Sequence, residues 1–414
     1  MATVVLAGTL DTKGIEYAFV RDRLRAQGVD VILVDVGVLG SPLVEPDVSR
    51  EEVARAGGVS LASLIAAGDR GKAIEVMSAA LGAVVKRLYA EARLDAILGL
   101  GGGGGSALLA AAMCELPIET PKLLVSTMVG GDTRAFAGVT GITVMHSIVD
   151  IAGLNRISER VFAQAAAAGA AMANANASMQ AMPLDRPLLG ATMFGVTTPC
   201  VTAARERLEA LGYEVLVFHA TGTGGKTLEQ LVRDGVIIGV LDVTTTELAD
   251  DLVGGVLSAG PERLTASGDV GIPQVVSLGA LDMVNFGPIE TIPEQFKGRL
   301  LYKHNPAVTL MRTTPEENAE LGKRLAGKLN RARGPVTLFI PLKGVSLISV
   351  EGQVFHDPAA DAALFDAIRR HIGAHVAVRE IDTDINDPAY ATAMADALHE
   401  SYTTWSAGRE RTTA

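Results

Sequence analysis

Short apolar runs recur along the chain, each closed by a Gly-, Thr- or Asp-rich turn and followed by a helical stretch. In the first half the predicted strands are Val4–Ala7, Val31–Val36, Ala96–Leu100, Leu123–Ser126 and Ile142–Met145. In the second half they are Leu188–Phe194, Val215–His219, Val236–Leu241, Gln274–Leu278, Val336–Pro341 and Val376–Ile381. Strands that alternate with helices predict right-handed crossovers and parallel sheets covered on both faces. Two such series predict two doubly wound α/β subdomains, 1–183 and 184–414. The boundary is drawn at the Pro-bearing segment Met182-Pro183-Leu184-Asp185-Arg186-Pro187. An Ala-rich helix from about Leu154 to Met182 precedes it, and its run Ala165–Ala171 is expected at a domain or dimer contact.

Composition narrows the class. The chain has 414 residues, long enough for two or three domains, and is 48% hydrophobic with only 4% aromatic residues, as suits Val/Ile/Leu strands and Ala-rich helices. A net charge of -11 argues against general binding to nucleic acid or to anionic membranes. Cys114 and Cys200 are far apart and read as two thiols of a reducing compartment. The first residues lead straight into a strand without a basic segment and apolar core, so no secretory leader is expected. No apolar run reaches about 18 residues, so no membrane span is expected either. A cytoplasmic location is the resulting expectation.

The most informative local feature is Gly101-Gly102-Gly103-Gly104-Gly105, which follows an apolar strand and runs into Ser106-Ala107-Leu108-Leu109. A strand, a glycine loop and a helix bring bare backbone N–H groups to an anion, and the helix N-terminus adds partial positive charge. In parallel sheets, ligands gather at the C-terminal ends of the strands. After the first strand stands Gly8-Thr9-Leu10-Asp11-Thr12-Lys13-Gly14. Its hydroxyls and Lys13 suit a phosphate, with Asp11 available for a metal or a ribose; an ordinary capped turn is the alternative. The fourth strand leads into Ser126-Thr127-Met128-Val129-Gly130-Gly131-Asp132-Thr133-Arg134, and His146 stands at the end of the fifth, near Asp150.

The second half carries Ala220-Thr221-Gly222-Thr223-Gly224-Gly225-Lys226-Thr227 between a strand and the predicted helix Leu228–Arg233. This fits a relaxed phosphate-loop template, with Asp242 after Val236–Leu241 as a magnesium carboxylate. Only 15 residues separate Lys226 from Asp242, and the loop is not on the first strand of its half, so a generic phosphate or carboxylate loop fits better. Thr197-Thr198-Pro199-Cys200, Thr244-Thr245-Thr246-Glu247, Asp282–Phe286 and His304-Asn305-Pro306 are placed at the same edge. That many polar groups at a buried edge points to a ligand. Thr314, Pro315 and Glu317 read instead as a helix start with a capping box.

The segments Gly8–Gly14, Gly195–Cys200, Phe218–Gly225, His304-Asn305-Pro306 and Met311–Glu316 resemble the Tm-one-like ATP-binding family. That family is named for a tomato protein that restrains tomato mosaic virus replication, whose N-terminal inhibitory domain belongs to it. The resemblance spans nearly the whole chain. It implies two Rossmann-like subdomains and nucleotide binding, and supplies no reaction; bacterial relatives carry Arg where Lys226 stands.

Together these readings give two Rossmann-like doubly wound parallel-sheet subdomains facing a cleft. The expected ligand is ATP, with or without Mg²⁺, held by Thr9, Asp11, Thr12, Lys13, Gly102, Gly103, Gly104, Gly105, Ser106, Ser126 and Thr127. A small anionic metabolite is expected on Thr197, Thr221, Gly222, Thr223, Gly224, Thr245 and Asn305, with His219 and His304 as acid–base candidates. No protein metal ligands are assigned. The chain is expected to form a homodimer or higher homo-oligomer and to act as an enzyme; the alternative is a nucleotide-binding regulatory module that works through a protein partner.

Overall fold

The computed structural model describes residues 1–129, 141–179 and 186–413. The expected turn residues Gly130–Arg134 and most of the Pro-bearing boundary segment lie outside them. The chain divides into two compact units, Met1–Met182 and Pro183–Ala414.

The first unit is built on five parallel strands in the order β2-β1-β3-β4-β5. These are β1 (Thr3–Gly8), β2 (Asp30–Asp35), β3 (Ala96–Gly101), β4 (Lys122–Ser126) and β5 (Ile142–His146). The pleat sorts their side chains. Val4 and Leu6 turn to the face covered by α1 (Leu10–Ala26) and α6 (Arg156–Ser178). Val5 and Ala7 turn to the face covered by α2 (Arg50–Ala56), α4 (Arg70–Ala90) and α5 (Gly103–Met113). The short helix α3 (Leu61–Ala67) lies between α2 and α4. Helix α6 is the Ala-rich helix, and its alanines are core residues. Ala165, Ala166, Ala170 and Ala173 are buried on the sheet of this unit, and a Cβ on Gly169 would stand 2.9 Å from Leu98 Cδ1. Small residues there bring the helix down onto the strands of its own unit, while Ala167 and Ala171 of the same run are exposed.

The second unit holds six parallel strands in the order β14-β13-β9-β8-β6-β7. They are β6 (Leu188–Met193), β7 (Glu214–His219), β8 (Val240–Thr244), β9 (Gln274–Gly279), β13 (Val336–Pro341) and β14 (Ala377–Ile381). Helices Thr198–Ala210 and Pro388–Thr413 pack on one face, and Pro315–Leu329 and Pro358–His371 on the other. In the last long helix Trp405 donates Nε1–H to Gly271 O at 2.9 Å, and its ring lies under the Arg409 guanidinium. Thr314 caps Pro315–Leu329 with the expected capping box to Glu317.

Two features depart from expectation. Strand β8 starts at Val240, later than predicted, because Val236 and Ile237 close the preceding turn through Leu231 O. Asp242 therefore sits inside the strand. A second, antiparallel sheet of three strands, β10-β12-β11, was not foreseen: β10 (Met283–Phe286), β11 (Leu301–Asn305) and β12 (Val308–Arg312). It takes up Met283–Phe286 and His304-Asn305, which thus do not line the edge of the parallel sheet, whereas Asp282 stays outside it. No helix among the described residues is long and apolar enough to cross a membrane.

Candidate functional site

In the order β2-β1-β3-β4-β5, chain direction across the sheet reverses between β1 and β3, where ligand crevices form outside the strand ends. The floor of that fork is closed by Tyr17. Its buried Oη accepts the N–H of Leu100 at 2.8 Å and lies 2.8 Å from Ala7 O. Gly8 must be glycine beside it, since a Cβ there would fall 1.9 Å from the phenol oxygen. Burial holds the Tyr17 hydroxyl protonated, well above its usual range.

Above this floor opens a cavity of about 400 Å³. The structure brings Thr9, Asp11, Thr12, Lys13 and Gly102, Gly103, Gly104 and Gly105 together on its wall. The glycines do not form a loop. Gly102 is the N-cap of α5, and Gly103, Gly104 and Gly105 are its first turn, with no side-chain cap. Their N–H groups are the orphan donors of a helix start, and the residues line the cavity. Lys13 donates Nζ–H to Ile151 O at 2.5 Å, so its ammonium is anchored at the rim. Asp11 Oδ2 accepts from Leu39 N at 2.7 Å and Gly40 N at 3.2 Å, while its Oδ1 is buried with no hydrogen-bond partner among the described residues. Asp11 is thus half committed to holding the loop after β2.

Ser106, Ser126 and Thr127 are not on this wall. The buried Ser106 and Ser126 hydroxyls bond each other at 2.7 Å, and Ser106 Oγ also donates to Gly101 O. They tie α5 to the sheet, which corrects their assignment as ligand contacts. Asp69, Arg70 and the apolar wall of Val38, Leu64, Ile74 and Met77 were missed. They come from the long β2–β3 crossover, and its sequence carries one usable signal, Asp69 as N-cap directly before Arg70.

The second unit accounts for its glycine turn internally. Glu247 Oε1 accepts from Gly222 N at 2.7 Å and Gly225 N at 3.1 Å. Gly222 has φ +84°, and a Cβ on Gly225 would stand 2.2 Å from Glu247 Oε2, so both positions require glycine. Glu247 Oε2 then bonds the buried Arg263 at 2.6 Å. The same guanidinium holds Asp242 through two bonds of 2.6 Å and touches Glu229 at 3.4 Å. Three carboxylates on one cation leave excess negative charge. Backbone N–H groups of Leu264, Thr265 and Ala266 on Glu229, and the Thr192 hydroxyl on Asp242, absorb it. Asp242 is therefore engaged with Arg263, Lys226 is exposed, and the helix begins already at Thr223. The phosphate-loop template fails here.

The remaining candidates of this unit are dispersed. The Thr197 and Thr244 hydroxyls bond each other at 2.7 Å, and Thr245 donates to Ser277 O. Thr221 donates to His219 O, Thr223 is exposed, and Gly224 packs so tightly that a Cβ would fall 1.8 Å from His219 O. His219 is exposed beside Phe194, with ring centroids 5.3 Å apart. His304 and Asn305 are exposed on β11, in the antiparallel sheet. The polar groups at the parallel edge mostly satisfy one another, which removes the argument that a ligand must satisfy them. Asp282 follows β9 fully buried; Ser346 donates to its Oδ2 at 2.8 Å, and its Oδ1 has no hydrogen-bond partner among the described residues. Burial pushes this carboxyl up to about 6, against the pull of Arg312.

Two doubly wound α/β units, the first with a glycine-lined cavity at its switch point, define the class. The chain belongs to the family described as Uncharacterised protein family (UPF0261), with the N-terminal domain matched over residues 2–178 and the C-terminal domain over 186–402. It is 51% identical to a UPF0261 protein of Clostridium tetani over 95% of this chain and 98% of that protein. It is 38% identical to the ToMV susceptible protein tm-1(GCR26) of Solanum lycopersicum over 96% of this chain and 55% of that protein. With the ToMV resistance protein Tm-1(GCR237) of the same plant, identity is 43% over 80% of this chain and 45% of that protein. The resemblance to the Tm-one-like family is thereby shown, and the chain spans about half the length of the tomato relatives.

Proposed function

We propose that the first unit binds ATP or a similar nucleotide, with the phosphates on the N-terminus of α5 and the base against Val38, Leu64, Ile74 and Met77. The observation that carries this reading is the first turn of α5. Gly103, Gly104 and Gly105 have no positive φ, and packing does not demand them. A Cβ on Gly103 would meet only Met128 Sδ at 3.8 Å, one on Gly105 nothing within 4 Å, and one on Gly104 the flexible tip of Ile74 at 3.2 Å. Each glycine in a helix costs about 1 kcal/mol against alanine. A cost without structural return is understood if a ligand needs bare backbone at this place.

The bound nucleotide can serve either of two roles. In the first, the protein is an enzyme that acts on a small anionic metabolite. The internal hydrogen bonds of Thr197, Thr244 and Thr245 favour the second, a nucleotide-binding module that acts through a protein partner. The test is titration of the full chain with ATP in a calorimeter, with phosphate release measured in the same sample. A binding heat that vanishes in Gly104→Val supports the site. Absence of any heat with the wild-type chain overturns the proposal. Turnover that His219→Ala abolishes would return the enzyme reading.

A further inference from the structure

Helix α3 lines the cavity and is scarcely anchored to the rest of its unit. Of its residues Leu61–Ala67, only Leu61 is buried. In the next helix, α4, Met77, Leu81, Val84, Val85 and Leu88 all lie in the core. Leu64 and Ile65 of α3 line the cavity, yet Ile65 is 48% exposed. An element with so few buried apolar contacts belongs to the low-stability end of a fold and opens at small cost.

Both flanks of α3 carry a glycine in the left-handed region. Gly58 precedes the helix at φ +73°, and Gly68 is its C-cap at φ +63°. A Cβ on either would meet nothing within 4 Å, so backbone conformation and not packing sets these two glycines. Ser60, the N-cap, makes no side-chain bond to the helix start. A short helix between two permissive residues has the form of a hinged element, and an apolar side chain left half in water gains by covering a ligand. Building on the proposed nucleotide site, we infer that α3 is a lid that turns about Gly58 and Gly68 and closes on the bound nucleotide, with Ile65 brought against it.

The experiment follows amide exchange of the full chain by mass spectrometry, with and without saturating ATP, beside calorimetry on the same sample. Without ATP, α3 should exchange far faster than α4; with ATP, its exchange should slow by about tenfold or more. Ile65→Ser should keep the wild-type melting temperature, because the side chain is half exposed, and should weaken ATP binding by about fivefold, the scale of burying part of an isoleucine. Exchange in α3 that is already as slow as in α4 without ATP makes the helix a fixed wall and overturns the inference. A binding heat with no change in α3 exchange, or ATP affinity within about twofold in Ile65→Ser, also overturns it and leaves the nucleotide site standing. A wild-type chain that gives no heat with ATP overturns both.

Discussion

Glu247 accepts the backbone N–H of Gly222 at 2.7 Å, and so supplies from within the chain the anion that a glycine turn of this kind is shaped to hold. The two glycine-rich helix starts of the protein thus differ in kind. At Gly222–Gly225 Glu247 holds the N–H groups of Gly222 and Gly225, whereas Gly103–Gly105 line a cavity.

Lys226→Ala is therefore expected to leave ATP affinity within about twofold, because Glu247 already holds the turn that precedes this exposed residue. Calorimetry decides this, and complete loss of binding would move the nucleotide to the second unit.

Arg263→Met should be among the most damaging single changes. It strands Glu229, Asp242 and Glu247 without their shared cation, and removing one partner from a buried ion pair costs about 3–5 kcal/mol. Urea titration gives the value; a loss below about 1 kcal/mol would show that backbone donors alone carry the three carboxylates.

Gly105→Ala should raise stability by up to about 1 kcal/mol, since the added methyl meets nothing within 4 Å and alanine favours the helix. Gly104→Val should leave the fold intact and abolish ATP binding, because its side chain enters the space beside Arg70 and Ile74. Thermal melts and calorimetry on the same samples test the pair. Full ATP affinity in Gly104→Val would remove α5 from the site.

Lys13→Met should weaken ATP binding by roughly tenfold, as expected for loss of a charge-assisted contact of about 1.5–3 kcal/mol. It should also speed amide exchange near Ile151, whose carbonyl the ammonium ties down. A binding change below about twofold would assign Lys13 to the rim alone.

Asp282 gives a pH dependence with a definite sign. Its carboxyl is pushed from 3.8 to about 6 by burial, so the folded state prefers it protonated. As pH rises from about 4 to about 6, the unfolded chain ionises first and stability falls, by about 3 kcal/mol at about 1.4 per unit, then levels off. Asp282→Asn should flatten that decline. Equal slopes in urea midpoints for the variant and the wild type across this range would refute the assignment.

Most of the parallel sheets was legible because their strands are short apolar runs, Val4–Ala7 and Gln274–Leu278 among them, flanked by turn residues. The antiparallel sheet was not. β11, Leu301–Asn305, is largely exposed and polar, and only Pro306 and Ala307 join it to β12, so the hairpin carries neither an apolar run nor a Gly-bearing turn to mark it. β8 was misplaced because Val236–Leu241 is a continuous apolar run, and no periodicity tells which part is strand and which part closes a turn. At the site, the β1 and β3 ends were found from glycine, threonine and lysine at strand termini. Arg70 was not, because only the fold carries α4 to the mouth of α5. Glu247 was seen only as the end of a threonine run; that it fills a turn 22 residues earlier is a tertiary fact.

The position of Trp405 has an optical consequence. It is the one tryptophan of the chain and belongs to the second unit, held by Gly271 O. Its emission therefore reports the melting of that unit, whereas far-ultraviolet dichroism sums both. Overlay of the two curves measures directly whether the units unfold together, and any gap between them gives the first unit a transition of its own.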